Sequence, residues 1–321
     1  MKPNFQTAAD VFDTWRDDVL TGNPPVLYPL GTLDGLGQIS IGPGLVTLLG
    51  GAPGAGKTAF IMQGMVDALR LAPTLRICVC NVEMSPAVLL DRQLARLSGI
   101  DLRTIRYRKF GEEHTERLDA ALNTVESIAE RLCFVRPPFD LANVAAVADG
   151  FDAGVIVLDY IQRIAPPGTH GDKRGSVDAT MSYLRQFADA GVAVVAAAAV
   201  GRTKDAKGRS SYDGDGLNLA SFRESSELEF GADDAFLLIP DPKERDTVLL
   251  RHLKARHDET RDIELTFDRP RQAFKPVERG TEWNPHGSPA KHDGGKLQSA
   301  LAALWHRTPP ADDDSEGGDD E

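Results

Sequence analysis

The stretch GAPGAGKT, residues 51–58, stands between the apolar run LVTLLG (45–50) and the run AFIMQGMVDALRL (59–71). It satisfies G-x-x-x-x-G-K-[ST] in full, and the flanking runs read as the strand and the helix that this motif requires on either side. Glycines at these positions let the backbone curl so that successive N–H groups point inward, and the helix N-terminus adds its partial positive charge. Such a loop holds a polyphosphate. Lys57 is placed to reach the β- and γ-phosphates and Thr58 to ligate Mg²⁺. The loop as a whole, Gly51, Ala52, Pro53, Gly54, Ala55, Gly56, Lys57 and Thr58, is the expected binding site for ATP with Mg²⁺.

Outward from the loop the chain alternates strand and helix. LRICVCNV (75–82) reads as a strand, and Ser85 with Pro86 supplies the cap and first-turn proline of a helix. The apolar LCFVR (132–136), a further helix and GVIVLDYI (154–161) follow. The continuous apolar character of the last run suits a strand buried on both faces. Val177, Met181, Leu184 and Phe187 mark an amphipathic helix that leads into VAVVAAAAV (192–200). This repetition predicts an α/β fold with a mainly parallel, twisted sheet and helices on both faces. DAFLLIP (234–240), DTVLLRHLKAR (246–256) and RDIELTF (261–267) arrive without long helices between them, which predicts antiparallel strands at the end of the sheet.

Two carboxylates complete the predicted site. Asp159 ends the run VIVL, so it projects from the tip of a central strand toward the phosphate loop as the second Mg²⁺-binding group. Glu83, at the close of LRICVCNV and just before the helix start, is placed to orient and deprotonate an attacking water. A first-turn acid interacting with the helix dipole is its competing role.

Composition sets the class. With 321 residues, 41% hydrophobic and 26% charged, the chain has ordinary globular usage, and no apolar run approaches eighteen residues. The N-terminus, MKPNFQTAADVFDTW, does not have the pattern of a signal peptide, so a cytoplasmic chain with no membrane partner is expected. Cys78, Cys80 and Cys133 sit in strand-like runs and are read as reduced core residues, and no structural metal is expected. Residues 1–25 read as an arm carrying a short helix, with Val11, Phe12, Trp15 and Val19 on one face. Residues 26–278 form the expected core. Residues 279–321 read as a linker, a short helix over LQSALAALW and a disordered acidic tail. Seven acids fall in residues 309–321; removing them from the net charge of −12 leaves −5, so whole-chain charge does not exclude a nucleic-acid partner.

NVEMSPAVLLDRQLARLSGID, VIVLDYIQRI, SFRESSELEFGADDAFLLI and LKAR, in that order after GAPGAGKTAF, resemble the C-terminal motor domain of DnaB-type replicative helicases over about residues 26–277. The resemblance implies a RecA-like core that assembles as a homo-oligomeric, hexameric ring, hydrolyses ATP between subunits and translocates on or unwinds DNA through single-stranded DNA in its channel. Replication or loader proteins are implied as partners. Glu83 matches the family's catalytic glutamate and Asp159 its magnesium aspartate. Lys254 and Arg256 match the lysine-x-arginine pair that reaches the neighbour's γ-phosphate. Arg223, Glu224 and Ser226 fall on the DNA-contacting loop, RESS here against the usual RESG.

Read from residue types alone, Arg251, Lys254 and Arg256 equally suit a solvated face, as does Arg223 beside Glu224. Arg163, Lys173, Arg174, Arg202, Lys204, Lys207 and Arg209 lie in two loops suited to phosphate contact without sequence readout. The chain departs from the family at Ala199, where a polar glutamine is usual, and with about 25 residues ahead of the expected core no counterpart of the family's large N-terminal collar domain that meets primase is expected. These departures keep open an alternative, an ATP-gated assembly or switch protein of the same core that binds partners or DNA without unwinding.

Overall fold

The computed structural model describes residues 5–31, 36, 39, 41–168, 173–201, 203–204, 210–211, 222 and 231–277. By its internal contacts the chain divides into a body, Val26–Glu278, and a second unit that includes Met1–Pro25. The second unit carries α1 (Ala8–Thr21), which starts on a capping box between Thr7 and Asp10 and ends at Gly22 in the left-handed conformation. The predicted C-terminal linker, helix and tail, like Arg223, Glu224 and Ser226, lie outside the described residues.

Among the described residues the body is built on a nine-stranded sheet. Its strands are β1 (Val46–Gly51), β2 (Ile77–Asn81), β3 (Leu132–Phe134), β4 (Val155–Asp159), β5 (Ala193–Ala199), β8 (Asp234–Pro240), β9 (Thr247–Ala255), β10 (Ile263–Asp268) and β11 (Ala273–Pro276). A separate two-stranded ribbon pairs β6 (Thr203–Lys204) with β7 (Ser210–Ser211). The order across the large sheet is β11-β10-β9-β8-β1-β5-β4-β2-β3. Pairing is parallel from β8 through β3, and antiparallel between β8 and β9, β9 and β10, and β10 and β11. The mainly parallel sheet with an antiparallel end is the architecture expected from the sequence, and the fold is RecA-like. β11 is an addition: Ala273-Phe274-Lys275-Pro276 is too short to show an alternating pattern.

Continuous apolar strands follow from two cores. Ile77, Val79, Val155, Val157, Val195 and Ala197 point to one face, against α2 (Lys57–Leu71), α3 (Pro86–Ser98) and α5 (Thr115–Ala129). Cys78, Cys80, Ile156, Leu158, Val194 and Ala196 point to the other, against α6 (Leu141–Phe151) and α7 (Lys173–Asp189). Since side chains alternate along a strand, both sets must be apolar. Met181 and Leu184 of the predicted amphipathic helix are buried in the second core. Ser85 is the N-cap of α3 with Pro86 in its first turn, but its side chain makes no capping hydrogen bond. α4 (Leu102–Arg106) and α5 had no counterpart in the sequence reading.

The antiparallel end folds back onto the phosphate-loop helix. Gln63 of α2 donates from Nε2 to the Phe274 carbonyl and accepts from the Phe274 N–H, both at 2.8 Å. Phe267 and Phe274 stack with centroids 4.1 Å apart.

Candidate active site

β1 and α2 are separated by the loop of residues 52–56, which lies at the carboxyl end of the parallel strands, where open α/β sheets bind ligands. Gly56 has φ +99°, and a Cβ there would come within 2.8 Å of Phe274 and 3.0 Å of Phe267. The aromatic pair therefore backs the loop so closely that only glycine fits. Lys57 Nζ donates to the carbonyls of Gly51 (2.7 Å) and Ala52 (3.2 Å), which holds the ammonium over the loop's own backbone.

Thr58 Oγ1 donates to Asp159 Oδ2 at 2.6 Å, so the first turn of α2 and the tip of β4 meet through two oxygen ligands. Hard oxygen donors side by side suit Mg²⁺, and Asp159 is only 6% exposed. Burial pushes its carboxyl above the usual range, while the Thr58 hydrogen bond and the Lys57 ammonium pull it back. Burial likewise pushes Lys57 below the ordinary lysine value, against the pull of Asp159 and Glu83. Each charge is thus held at a cost that a phosphate and a cation would relieve.

Asn81, at the end of β2, was not singled out in the sequence. Its Nδ2 donates to Asp159 Oδ2 (2.7 Å), and its Oδ1 accepts from the backbone N–H groups of Glu83 (3.0 Å) and Met84 (2.7 Å). One amide therefore orients the aspartate and fixes the turn that presents Glu83 two residues past the strand. Arg92 of α3 was also missed. It donates from Nη1 to Gln272 Oε1 (2.9 Å), its Nε is buried without a hydrogen-bond partner, and burial lowers its pKa. Ala199 ends β5 with its N–H and carbonyl both held by the Gln162 amide, at 3.0 and 3.2 Å.

Gly51, Pro53, Gly54, Gly56, Lys57, Thr58, Glu83, Arg92 and Asp159 line one cavity of about 500 Å³, and Ala199, Phe267, Arg269 and Gln272 are among the other residues of its wall. Ala52 and Ala55 belong to the same loop without lining the cavity. Among the described residues no cluster of His, Cys, Asp and Glu has the makings of a separate metal site, and the three cysteines are free thiols. No helix among the described residues is long and apolar enough to cross a membrane.

Lys254 and Arg256 lie elsewhere. Lys254 is on β9 opposite Ala235, and Arg256 follows the strand. The Arg256 guanidinium is 2.6 Å from the Asp233 carboxylate, which is buried and also accepts from Arg185 Nη1 (2.6 Å) and the Val46 N–H (2.7 Å). Val46 begins the strand whose other end is Gly51. Arg256 therefore sits near the opposite edge of the sheet from the phosphate loop, on the order of 17 Å away at the usual strand rise.

The family model described as the DnaB-like helicase C terminal domain matches residues 35–276. A solved structure of an ATPase domain superposes with a TM-score of 0.73 at 18% identity, covering 86% of this chain and all of its own. A structure of a DnaB-like replicative helicase and its interactions with primase gives a TM-score of 0.71 at 18% identity, covering 86% of this chain and 68% of its own. At that identity the likeness is one of fold. No curated protein matches the chain in sequence.

Proposed function

The chain belongs to the DnaB-like helicase C-terminal domain family, and from that premise we propose that it is a magnesium-dependent ATPase that assembles as a six-membered ring and moves along single-stranded DNA. The observation that carries this reading is the convergence of Lys57, Thr58, Asp159 and Glu83 on one cavity at the carboxyl edge of the sheet. In the proposed mechanism Lys57 leaves the loop carbonyls for the β- and γ-phosphate oxygens of ATP, where its charge is compensated. Thr58 and Asp159 would hold Mg²⁺, which would supply charge neutralisation to the polyphosphate. Asn81 keeps the aspartate turned toward Thr58. Glu83 accepts the proton of the water that attacks the γ-phosphate in line.

Arg256 and Lys254 act from the neighbouring subunit in this reading. The support is the position of Arg256: held by Asp233 at the Val46 end of β1, it cannot serve the loop of its own chain, and a head-to-tail ring brings unlike edges of adjacent subunits together; Lys254, two residues earlier on β9, is proposed to act with it. DNA contact is proposed for the loop carrying Arg223, Glu224 and Ser226. A second reading, an ATP-gated switch without unwinding, is favoured by Ala199: a methyl group faces the cavity wall where the family places a glutamine, and Gln162 already occupies the Ala199 backbone.

Lys57→Ala is expected to abolish nucleotide binding, and Glu83→Gln to bind ATP normally while hydrolysing it at a small fraction of the normal rate, because one residue meets ground-state phosphates and the other acts in the transition state. Normal turnover by Glu83→Gln would refute its assignment. ATP-dependent displacement of a strand from a forked duplex separates translocation from the switch reading, which permits hydrolysis but no displacement.

A further inference from the structure

The nucleotide cavity has an end that the phosphate chemistry does not use. Lys57, Thr58, Asp159 and Glu83 account for the polyphosphate, the cation and the water. Pro53, Phe267, Arg269 and Gln272 line the same cavity without a role in that reaction.

The turn between β10 and β11 that carries Arg269 and Gln272 is held on every side. Leu102 N–H donates to the Pro270 carbonyl (2.8 Å), Arg271 Nε donates to the Gly99 carbonyl (2.9 Å), and Gln272 Nε2 donates to the Arg269 carbonyl (2.6 Å). Gln272 itself adopts φ +55°, a conformation few non-glycine residues take without such support. Arg269 lies with its guanidinium carbon 5.0 Å from the Phe267 ring centroid, and its Nη1 donates to the Gly54 carbonyl at 3.1 Å. Phe267 is fixed in turn by its stack on Phe274. A planar cation is thereby held beside the phosphate loop, its guanidinium carbon over an aromatic ring.

We propose that the free face of the Arg269 guanidinium is the platform on which the nucleobase of the bound nucleotide stacks. The inference rests on the nucleotide-binding reading above and adds to it the residue that grips the base. A guanidinium plane stacks on any aromatic heterocycle through cation–π attraction and dispersion. The Gln272 amide is turned toward the protein, its Oε1 accepting from Arg92 and its Nε2 donating to the Arg269 carbonyl. Recognition through Arg269 is therefore by the face of the base, which every base possesses, and adenine and guanine nucleotides are bound with similar affinity.

The test compares ligands with and without a base. Isothermal titration of the full chain with Mg·ADP, Mg·GDP and Mg·pyrophosphate gives the base contribution as the ratio of nucleotide to pyrophosphate affinity. Arg269→Ala is expected to lower ADP and GDP affinity about tenfold, the scale of one stacked base, and to leave pyrophosphate binding unchanged. Arg269→Lys keeps a charge and a donor for the Gly54 carbonyl but has no planar face, and is expected to show the same selective loss. An unchanged ADP-to-pyrophosphate ratio in both variants would overturn the proposal. Equal weakening of pyrophosphate would overturn it too, because Arg269 would then brace the loop or bind phosphate. A wild-type preference for ADP over GDP above about tenfold would refute recognition by the face alone. Failure of the unsubstituted chain to bind ADP would instead remove the nucleotide reading itself, and this inference with it.

Discussion

Arg256→Ala removes a charge that, if the site is shared, completes the neighbour's cavity and not its own. The distance argument is direct. Val46 and Gly51 are the two ends of β1, the Asp233 carboxylate that holds Arg256 accepts from the Val46 N–H, and five residues of strand span on the order of 17 Å. That exceeds the reach of any side chain. The substitution leaves Asp233 paired with Arg185 and Val46, so the fold and the phosphate loop are kept and ATP still binds. Hydrolysis is expected to fall by about three to five orders of magnitude, the usual contribution of an arginine supplied in trans. Lys57→Ala subunits are equally inactive but retain their Arg256. In rings coexpressed from equal amounts of the two variants, an interface is productive when an intact loop meets an intact arginine, which happens at about one interface in four. Phosphate release at saturating ATP is therefore expected to recover to about a quarter of the wild-type rate per subunit. A mixture no faster than its two components, at any ratio, would refute the shared site.

Two further outcomes follow from the buried carboxylates. Asp233→Ala leaves the Val46 N–H without its acceptor and takes the buried carboxylate away from both Arg185 and Arg256, so a loss of about 2–3 kcal/mol is expected. That corresponds to about 4–6 °C in melting temperature for a body of this size, and a loss too small to measure would show that the ion pairs are solvent-compensated. Asp159→Asn keeps acceptors for Thr58 and Asn81 while removing a charge that burial disfavours. Because the folded-state pKa of Asp159 is raised, its contribution to stability is greatest at low pH and is lost as pH rises through that value. The Asp159→Asn variant is therefore expected to be the more stable apoprotein by an amount that grows from acid to neutral pH, and to lose stabilisation by Mg²⁺; parallel urea-denaturation profiles across pH for the two proteins would contradict this.

What the sequence made legible was what local chemistry dictates. A phosphate loop needs its glycines, lysine and threonine in fixed order, so GAPGAGKT and the strand and helix around it could be read without a structure. The apolar run ahead of Asp159 placed that carboxylate for the same reason. Asn81, Arg92 and Gln272 were not legible, because their roles depend on partners 78 and 180 residues away that only the sheet order brings together. Asn81 carried a faint local signal, an amide two residues before Glu83 able to close an Asx turn. Lys254 and Arg256 showed the opposite limit: residue types alone could not separate a working pair from a solvated face, and only the buried Asp233 reveals that Arg256 is held in place. β11 was missed because four residues carry too little periodicity, although Phe274 and Gln63 make that strand part of the phosphate-loop wall.

The clamp between Gln63 and Phe274, and that between Gly54 and Arg269, join residues 211 and 215 positions apart. On the ribosome, the loop at residues 51–58 emerges long before the hairpin that backs it, and contacts of such separation close late. The nascent chain therefore carries a complete phosphate-loop motif that has no wall behind Gly56 until β10 and β11 have left the exit tunnel, so whatever stability the wall lends the loop arrives only when the body is nearly whole.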